Sequence, residues 1–115
     1  MKNTYRLSVA ILFFIASLLS CSKKDSPDNA VCDGVPKNFV ADVNPLIQTY
    51  CNQGGCHDAG SFNGPGALTN YAEVFSARVA IKGQVEAGLM PQNTVLTAVQ
   101  KNTIICWINN GAPNN

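Results

Sequence analysis

The stretch Cys51-Asn52-Gln53-Gly54-Gly55-Cys56-His57 places two thiols and the single histidine of this 115-residue chain within seven positions. A second stretch, Gly88-Leu89-Met90-Pro91, contains the only methionine besides Met1, and this Met90 lies 33 residues after His57. Any site in this chain that needs histidine nitrogen and a methionine sulfur other than that of Met1 must therefore use His57 and Met90.

Two cysteines with a histidine directly after the second form the arrangement that attaches c-type haem, in which thiols become thioethers and imidazole binds iron. The usual motif has two residues between the cysteines, whereas this chain has four. Gly54 and Gly55 favour a bulge in this spacer, because glycine adopts positive φ without a clash from a Cβ atom. Met90 is the candidate for the opposite face of the iron.

A first helix is predicted directly before the motif. Apolar residues recur at helical spacing in the set Phe39, Val43, Leu46, Ile47 and Tyr50. Asp42 or Asn44 could cap this helix, and Pro45 suits a first turn. After the motif, glycine and proline dominate residues 54–66, which predicts a loop.

Two further helices are predicted downstream. The first runs from about Asn70 to Lys82, buries Tyr71, Val74, Phe75 and either Val79 or the stem of Arg78, and stops near Gly83. Thr97 and Gln100 then form a capping box at the start of the last helix. The apolar face of that helix is Val99, Ile104, Trp107 and Ile108, and Gly111 and Pro113 follow as stop signals. The sequence thus predicts an all-α domain of about three helices joined by long loops.

The first twenty residues resemble a bacterial lipoprotein signal peptide. Lys2 and Arg6 precede an apolar run over residues 7–19, and Leu18-Leu19-Ser20-Cys21 has the form of a lipobox. On this resemblance, cleavage after Ser20 makes Cys21 a lipidated N-terminus. The protein would then be exported and anchored to a bacterial membrane at its periplasmic or outer-membrane face.

Residues 21–36 are predicted to be a tether and residues 37–115 a single domain. Residues 22–29 contain no side chain that could build a core. Without residues 1–20, six basic residues remain against seven acidic ones. Because these charges form no basic patch, nucleic acid is not an expected partner.

Most of the domain, from about Phe39 to Asn110, resembles a small class I-type cytochrome c. The resemblance is carried by Asp42-Val43-Asn44-Pro45-Leu46-Ile47, Cys56-His57, Gly64-Pro65 with Leu68, Gly88-Leu89-Met90-Pro91, and the closing Ile104–Ile108 helix with its Trp107. The order of parts also matches, since the histidine comes early and the methionine late, between two helices.

The resemblance implies an electron carrier and not an enzyme. Cys51 and Cys56 would hold one covalent haem c, and His57 and Met90 would be the axial ligands of its iron. The carbonyl of Pro65 would accept the proton on the far ring nitrogen of His57, which orients the ring and raises its basicity. Two strong axial ligands favour electron transfer to redox partner proteins, through a small and transient interface.

Export would place the remaining cysteines in an oxidising compartment, where disulfides persist and free thiols seldom do. If Cys21 carries lipid and the motif carries haem, Cys32 and Cys106 are left to pair. That disulfide would clamp the start of the domain to its last helix.

Two alternatives use the same residues. In the first, Cys51 pairs with Cys56 in a disulfide-stapled lipoprotein that binds a partner without redox chemistry, and four cysteines allow three connectivities. In the second, Cys51, Cys56, His57 and one more cysteine bind zinc, although thiolate sites are uncommon in an oxidising compartment.

Overall fold

The computed structural model describes Cys32, Gly34 and residues 36–115. Within this part the chain forms a π-helical turn, Phe39–Val43, and three α-helices: α1 (Asn44–Tyr50), α2 (Tyr71–Glu86) and α3 (Ala98–Asn109). No strand occurs among the described residues, so the all-α prediction is confirmed. None of these helices has the length and apolar content needed to cross a membrane.

The predictions for the N-terminal region fall mostly outside the described residues. These are the signal peptide over 1–20, the lipidation site Cys21 and most of the tether over 21–36. Cys32 lies within the range predicted as tether, yet it is bonded to Cys106 on α3. The covalent structure of the domain therefore includes at least this residue of the tether range.

The predicted first helix corresponds to the π-helical turn and α1, which follow one another without a break. Its N-cap is Asn38, whose side chain accepts from the Ala41 N–H at 3.1 Å. Asp42 accepts in return from the Asn38 N–H at 2.7 Å. The segment is therefore capped one turn earlier than Asp42 or Asn44 would cap it, and it buries Phe39, Val43 and Ile47.

Helix α2 extends one turn beyond its predicted end. Gly83 lies inside the helix, and the chain leaves it at Gly88, which has φ +67°. The Gly88 N–H donates to the Val85 carbonyl and the Leu89 N–H donates to the Gln84 carbonyl, as in a glycine C-cap. The predicted stop was wrong because Val85 is buried and continues the apolar stripe past Gly83.

The sequence left open whether Val79 or the stem of Arg78 packs on the outer face of α2, and the structure shows that it is Arg78. Val79 is 74% exposed. The guanidinium of Arg78 stacks on the Phe75 ring, with 3.9 Å between its central carbon and the ring centroid. The long side chain of Arg78 therefore covers apolar surface at the position where Val79 points to solvent.

Helix α3 begins at the predicted capping box, which is confirmed. The Thr97 N–H donates to Gln100 Oε1 at 2.8 Å, and the Gln100 N–H donates to Thr97 Oγ1 at 3.2 Å. Val99, predicted on the apolar face, is 75% exposed instead. Leu96, just before the helix, is the residue of this region that reaches the core.

An aromatic cluster fills the space between the helices. The Phe39 ring centroid lies 5.0 Å from that of Tyr71 and 5.4 Å from that of Trp107. Trp107 is fully buried, and its indole N–H donates to the Pro113 carbonyl at 2.9 Å. The Tyr71 hydroxyl donates to the Ala112 carbonyl at 2.9 Å. The segment after α3 thus supplies the polar partners that the buried aromatic side chains need.

Candidate functional site

Helix α1 delivers the chain to Cys51, the first residue of the predicted motif. The N–H groups of Cys51 and Asn52 both donate to the Ile47 carbonyl, each at 2.9 Å, and this ends the helix. The Gln48 side chain donates to the Leu68 carbonyl at 3.3 Å. This contact fixes α1 against the segment that follows the motif.

The spacer folds back on itself as a compact turn. The Cys51 carbonyl accepts from the Gln53 N–H at 2.9 Å and from the His57 N–H at 3.2 Å, and the Cys56 N–H donates to the Gln53 carbonyl at 2.8 Å. Gly55 has φ +79°, which is the conformation that glycine accepts most readily. The predicted bulge is therefore present, and Gly55 supplies its left-handed residue.

His57 is held on several sides and is only 9% exposed. Its carbonyl accepts from the Leu68 N–H at 2.9 Å. Its Nδ1 lies 2.8 Å from the Gly66 carbonyl oxygen. Since a carbonyl only accepts, Nδ1 carries a proton, and in the neutral imidazole the lone pair is then on Nε2.

The prediction placed the carbonyl that accepts from Nδ1 at Pro65, but in the structure it is the carbonyl of Gly66, one residue later. The chain turns sharply through Gly64 and Gly66, with φ +54° and +90°, and the carbonyl that reaches the imidazole is that of Gly66. A Cβ atom on Gly64 would lie 3.5 Å from His57 Cε1. The backbone of this turn therefore packs directly against the edge of the ring.

The second ring nitrogen of His57, Nε2, is bonded differently from Nδ1. No hydrogen bond from a described residue reaches Nε2. Among the described residues, no donor therefore competes with a ligand for Nε2.

The two thiols of the motif differ in their surroundings. Cys56 is exposed, Cys51 is half-buried, and the two are not bonded to each other. Burial raises the pKa of Cys51 to about 11, and the neighbouring charge of Cys56 adds to the rise. Cys51 is therefore protonated at neutral pH.

We expect iodoacetamide at pH 8 to label Cys56 well before Cys51 in protein made without haem. Only the thiolate reacts, and a thiol with this pKa is about one part in a thousand thiolate at pH 8. The labelling rate of Cys51 should rise about tenfold per pH unit toward its pKa. Peptide mass spectrometry over time measures both rates, and Cys56→Ser tests whether Cys51 reacts faster without its neighbour's charge. Equal rates at pH 8 would contradict this assignment.

The other two cysteines among the described residues form the predicted disulfide. Cys32 and Cys106 are joined with an S–S distance of 1.99 Å and a Cα–Cα distance of 5.4 Å. Cys106 is buried on α3, beside the fully buried Trp107 in the sequence. The clamp predicted between the start of the domain and its last helix is therefore present.

Met90 lies on the loop between α2 and α3 and is half-buried. Its N–H donates to the Gln84 carbonyl at 3.3 Å, which ties the loop to the end of α2. An open groove beside it is lined by Gly88, Leu89, Pro91, Gln92, Asn93, Thr94 and Val95.

One side chain that the sequence identified only as a helix-capping residue also bonds the residue before Cys51. Gln100, already in the capping box of α3, also donates through Nε2 to the Tyr50 hydroxyl at 3.0 Å. Tyr50 directly precedes Cys51, and α3 directly follows the loop of Met90. The capping-box pattern identifies Gln100 as a helix-start residue, but its bond to Tyr50 depends on how the helices pack.

Comparison with protein-family models, with curated proteins and with solved structures finds no match to this chain. Among the described residues, histidine, cysteine, aspartate and glutamate side chains form no group of three or more that could hold a metal ion. Within the motif, the structure joins His57 to Cys51 through a backbone hydrogen bond and joins the His57 ring to the Gly66 carbonyl through Nδ1.

Proposed function

We propose that this protein is a monohaem c-type cytochrome that carries single electrons between redox partner proteins. Cys51 and Cys56 would attach the porphyrin, and His57 and Met90 would bind its iron. Export, with lipidation at Cys21, would place the protein at the periplasmic or outer-membrane face of a bacterial membrane. Haem iron, when bound, supplies the one-electron chemistry by cycling between its ferric and ferrous states.

The observation that carries this proposal is the orientation of His57. The Gly66 carbonyl accepts a hydrogen bond from Nδ1, so in the neutral imidazole the lone pair lies on Nε2, which makes no hydrogen bond with a described residue. A metal-binding histidine is commonly held in this way, with its other ring nitrogen donating to a carbonyl. The free thiols of Cys51 and Cys56 lie on the turn that ends at the same histidine.

Exposed apolar side chains near the proposed ligands in the sequence give further support. Phe62, in the loop after His57, is 98% exposed, and Leu89 and Val95, on either side of Met90 in the sequence, are 60% and 85% exposed. Exposed apolar surface commonly marks a ligand or partner site. The porphyrin is a large apolar ligand that could cover such side chains.

In this proposal, the groups around His57 and the sulfur of Met90 have different roles. The Gly66 carbonyl orients His57, and the backbone bonds to Cys51 and Leu68 hold the histidine at the end of its turn. Thioether sulfur from Met90 would favour ferrous iron and raise the reduction potential. With His57 and Met90 both holding the group, its chemistry would be electron transfer without binding of oxygen or a substrate.

A pyridine haemochrome spectrum tests the proposal. We expect protein exported together with haem-maturation machinery to show a reduced c-type band that remains with the chain after extraction by acidified organic solvent. The Cys51→Ala/Cys56→Ala double variant is the matched control and should lose that band. Absence of the band from the wild type would rule out the cytochrome. A Cys51–Cys56 disulfide in that protein would then favour the disulfide-stapled module.

A further inference from the structure

We infer that Gln53 and Asn63 are positioning residues for haem attachment. They hold the long spacer in one fixed turn, so that Cys51 and Cys56 can both bond the same porphyrin despite the two additional residues. This inference rests on the proposed function.

Gln53 fixes the first half of the spacer against α1. Its side-chain amide donates to the Thr49 carbonyl at 2.7 Å and to the Gln48 carbonyl at 3.2 Å. These carbonyls belong to the last turn of the helix, where the helix itself provides no N–H partners. Since the backbone of Gln53 also bonds Cys51 and Cys56, this residue connects the helix end to both cysteines.

Asn63 fixes the second half of the spacer. Its side-chain amide donates to the Gly55 carbonyl at 2.9 Å and to the Cys56 carbonyl at 3.2 Å. Its own carbonyl accepts from the Gly66 N–H at 3.0 Å. Asn63 therefore joins the Cys56 end of the spacer to the turn whose Gly66 carbonyl orients His57.

These bonds counter the flexibility of the Gly54-Gly55 pair. Glycine loses more backbone freedom on ordering than any other residue, so an untied spacer would sample many separations of the two thiols. The His57 N–H to Cys51 carbonyl bond, 3.2 Å long, shows that the two ends of the tied turn meet. The amide contacts of Gln53 and Asn63 stabilise this closed arrangement.

The test compares Gln53→Ala and Asn63→Ala with the wild type, all exported with haem-maturation machinery. Alkylation of the unfolded haem protein, followed by peptide mass spectrometry, counts chains in which Cys51 or Cys56 is still a thiol. We expect the share of singly attached chains to rise several-fold in both variants. Asn63→Asp keeps the shape of the side chain but cannot donate, and should behave like Asn63→Ala.

Amide hydrogen exchange gives a readout that does not depend on electron transfer. The N–H groups of Cys56 and His57 should exchange about five- to tenfold faster in the variants, as expected for the loss of one or two hydrogen bonds. Amides in α3 should keep their wild-type rates. Gln84→Ala and Asn102→Ala are matched controls, since neither side chain makes a hydrogen bond among the described residues, and they should leave both readouts unchanged.

The outcomes separate this inference from the proposed function. If the wild type carries haem through two thioethers and the variants do too, with unchanged exchange, the positioning role is wrong and the cytochrome stands. If the wild type takes up no haem, the proposed function fails and the inference fails with it.

Discussion

The Cys32→Ala/Cys106→Ala double variant should unfold with a free energy about 4 to 5 kcal/mol lower than that of the oxidised wild type. The disulfide spans 74 residues of chain, and closing a loop of this length removes much of the entropy of the unfolded chain. Small domains are stable by only about 5 to 15 kcal/mol. The loss would therefore remove a large share of the stability of this domain.

Denaturant unfolding followed by circular dichroism and by Trp107 fluorescence measures this difference. Trp107 is the only tryptophan and is fully buried next to Cys106 in the sequence, so its emission should respond to unfolding of α3. Reductant is the control, because it should lower the stability of the wild type and leave the double variant unchanged. Equal stability of the variant and the oxidised wild type would contradict the predicted contribution.

The helices could be predicted from the sequence because their local signals agree with their packing. The apolar spacing over Phe39–Tyr50 and the capping box at Thr97 both appear in the structure. The end of α2 could not be predicted by the same means. Gly83 and Gly88 are equally acceptable as local stop signals, and the burial of Val85 decides between them.

In the site too, some features can be predicted from the local sequence and others depend on tertiary packing. The bulge follows from the glycines of the spacer, whereas the expectation of a carbonyl partner for His57 in this turn comes from the resemblance to cytochromes c. Which carbonyl bonds Nδ1 depends on the backbone path through Gly64 and Gly66, which the sequence does not specify. Amide contacts such as those of Gln53 and Gln100 are also set by tertiary geometry, because any exposed amide can make or lack such bonds.

The Met90→Ala variant should keep its covalent haem and show a lower reduction potential. Thioether sulfur stabilises ferrous iron, and axial ligands can set haem potentials over a range of roughly 0.8 V. The loop is anchored through backbone bonds from Leu89 and Met90 to the Gln84 carbonyl. Since these bonds do not involve the methionine side chain, the substitution should change the ligand without releasing the loop.

Ligand binding gives the sharper measurement of this variant, because loss of the sulfur would open one face of the iron. Added imidazole, or carbon monoxide on the reduced protein, should change the visible spectrum of Met90→Ala and leave that of the wild type nearly unchanged. Leu89→Ala is the matched control, since Leu89 is the exposed neighbour on the same loop and carries no sulfur. An unchanged spectrum for Met90→Ala, with and without these ligands, would rule out Met90 as the sixth ligand. The covalent attachment through Cys51 and Cys56 would not be affected by that result, since it depends on the thiols and not on the axial sulfur.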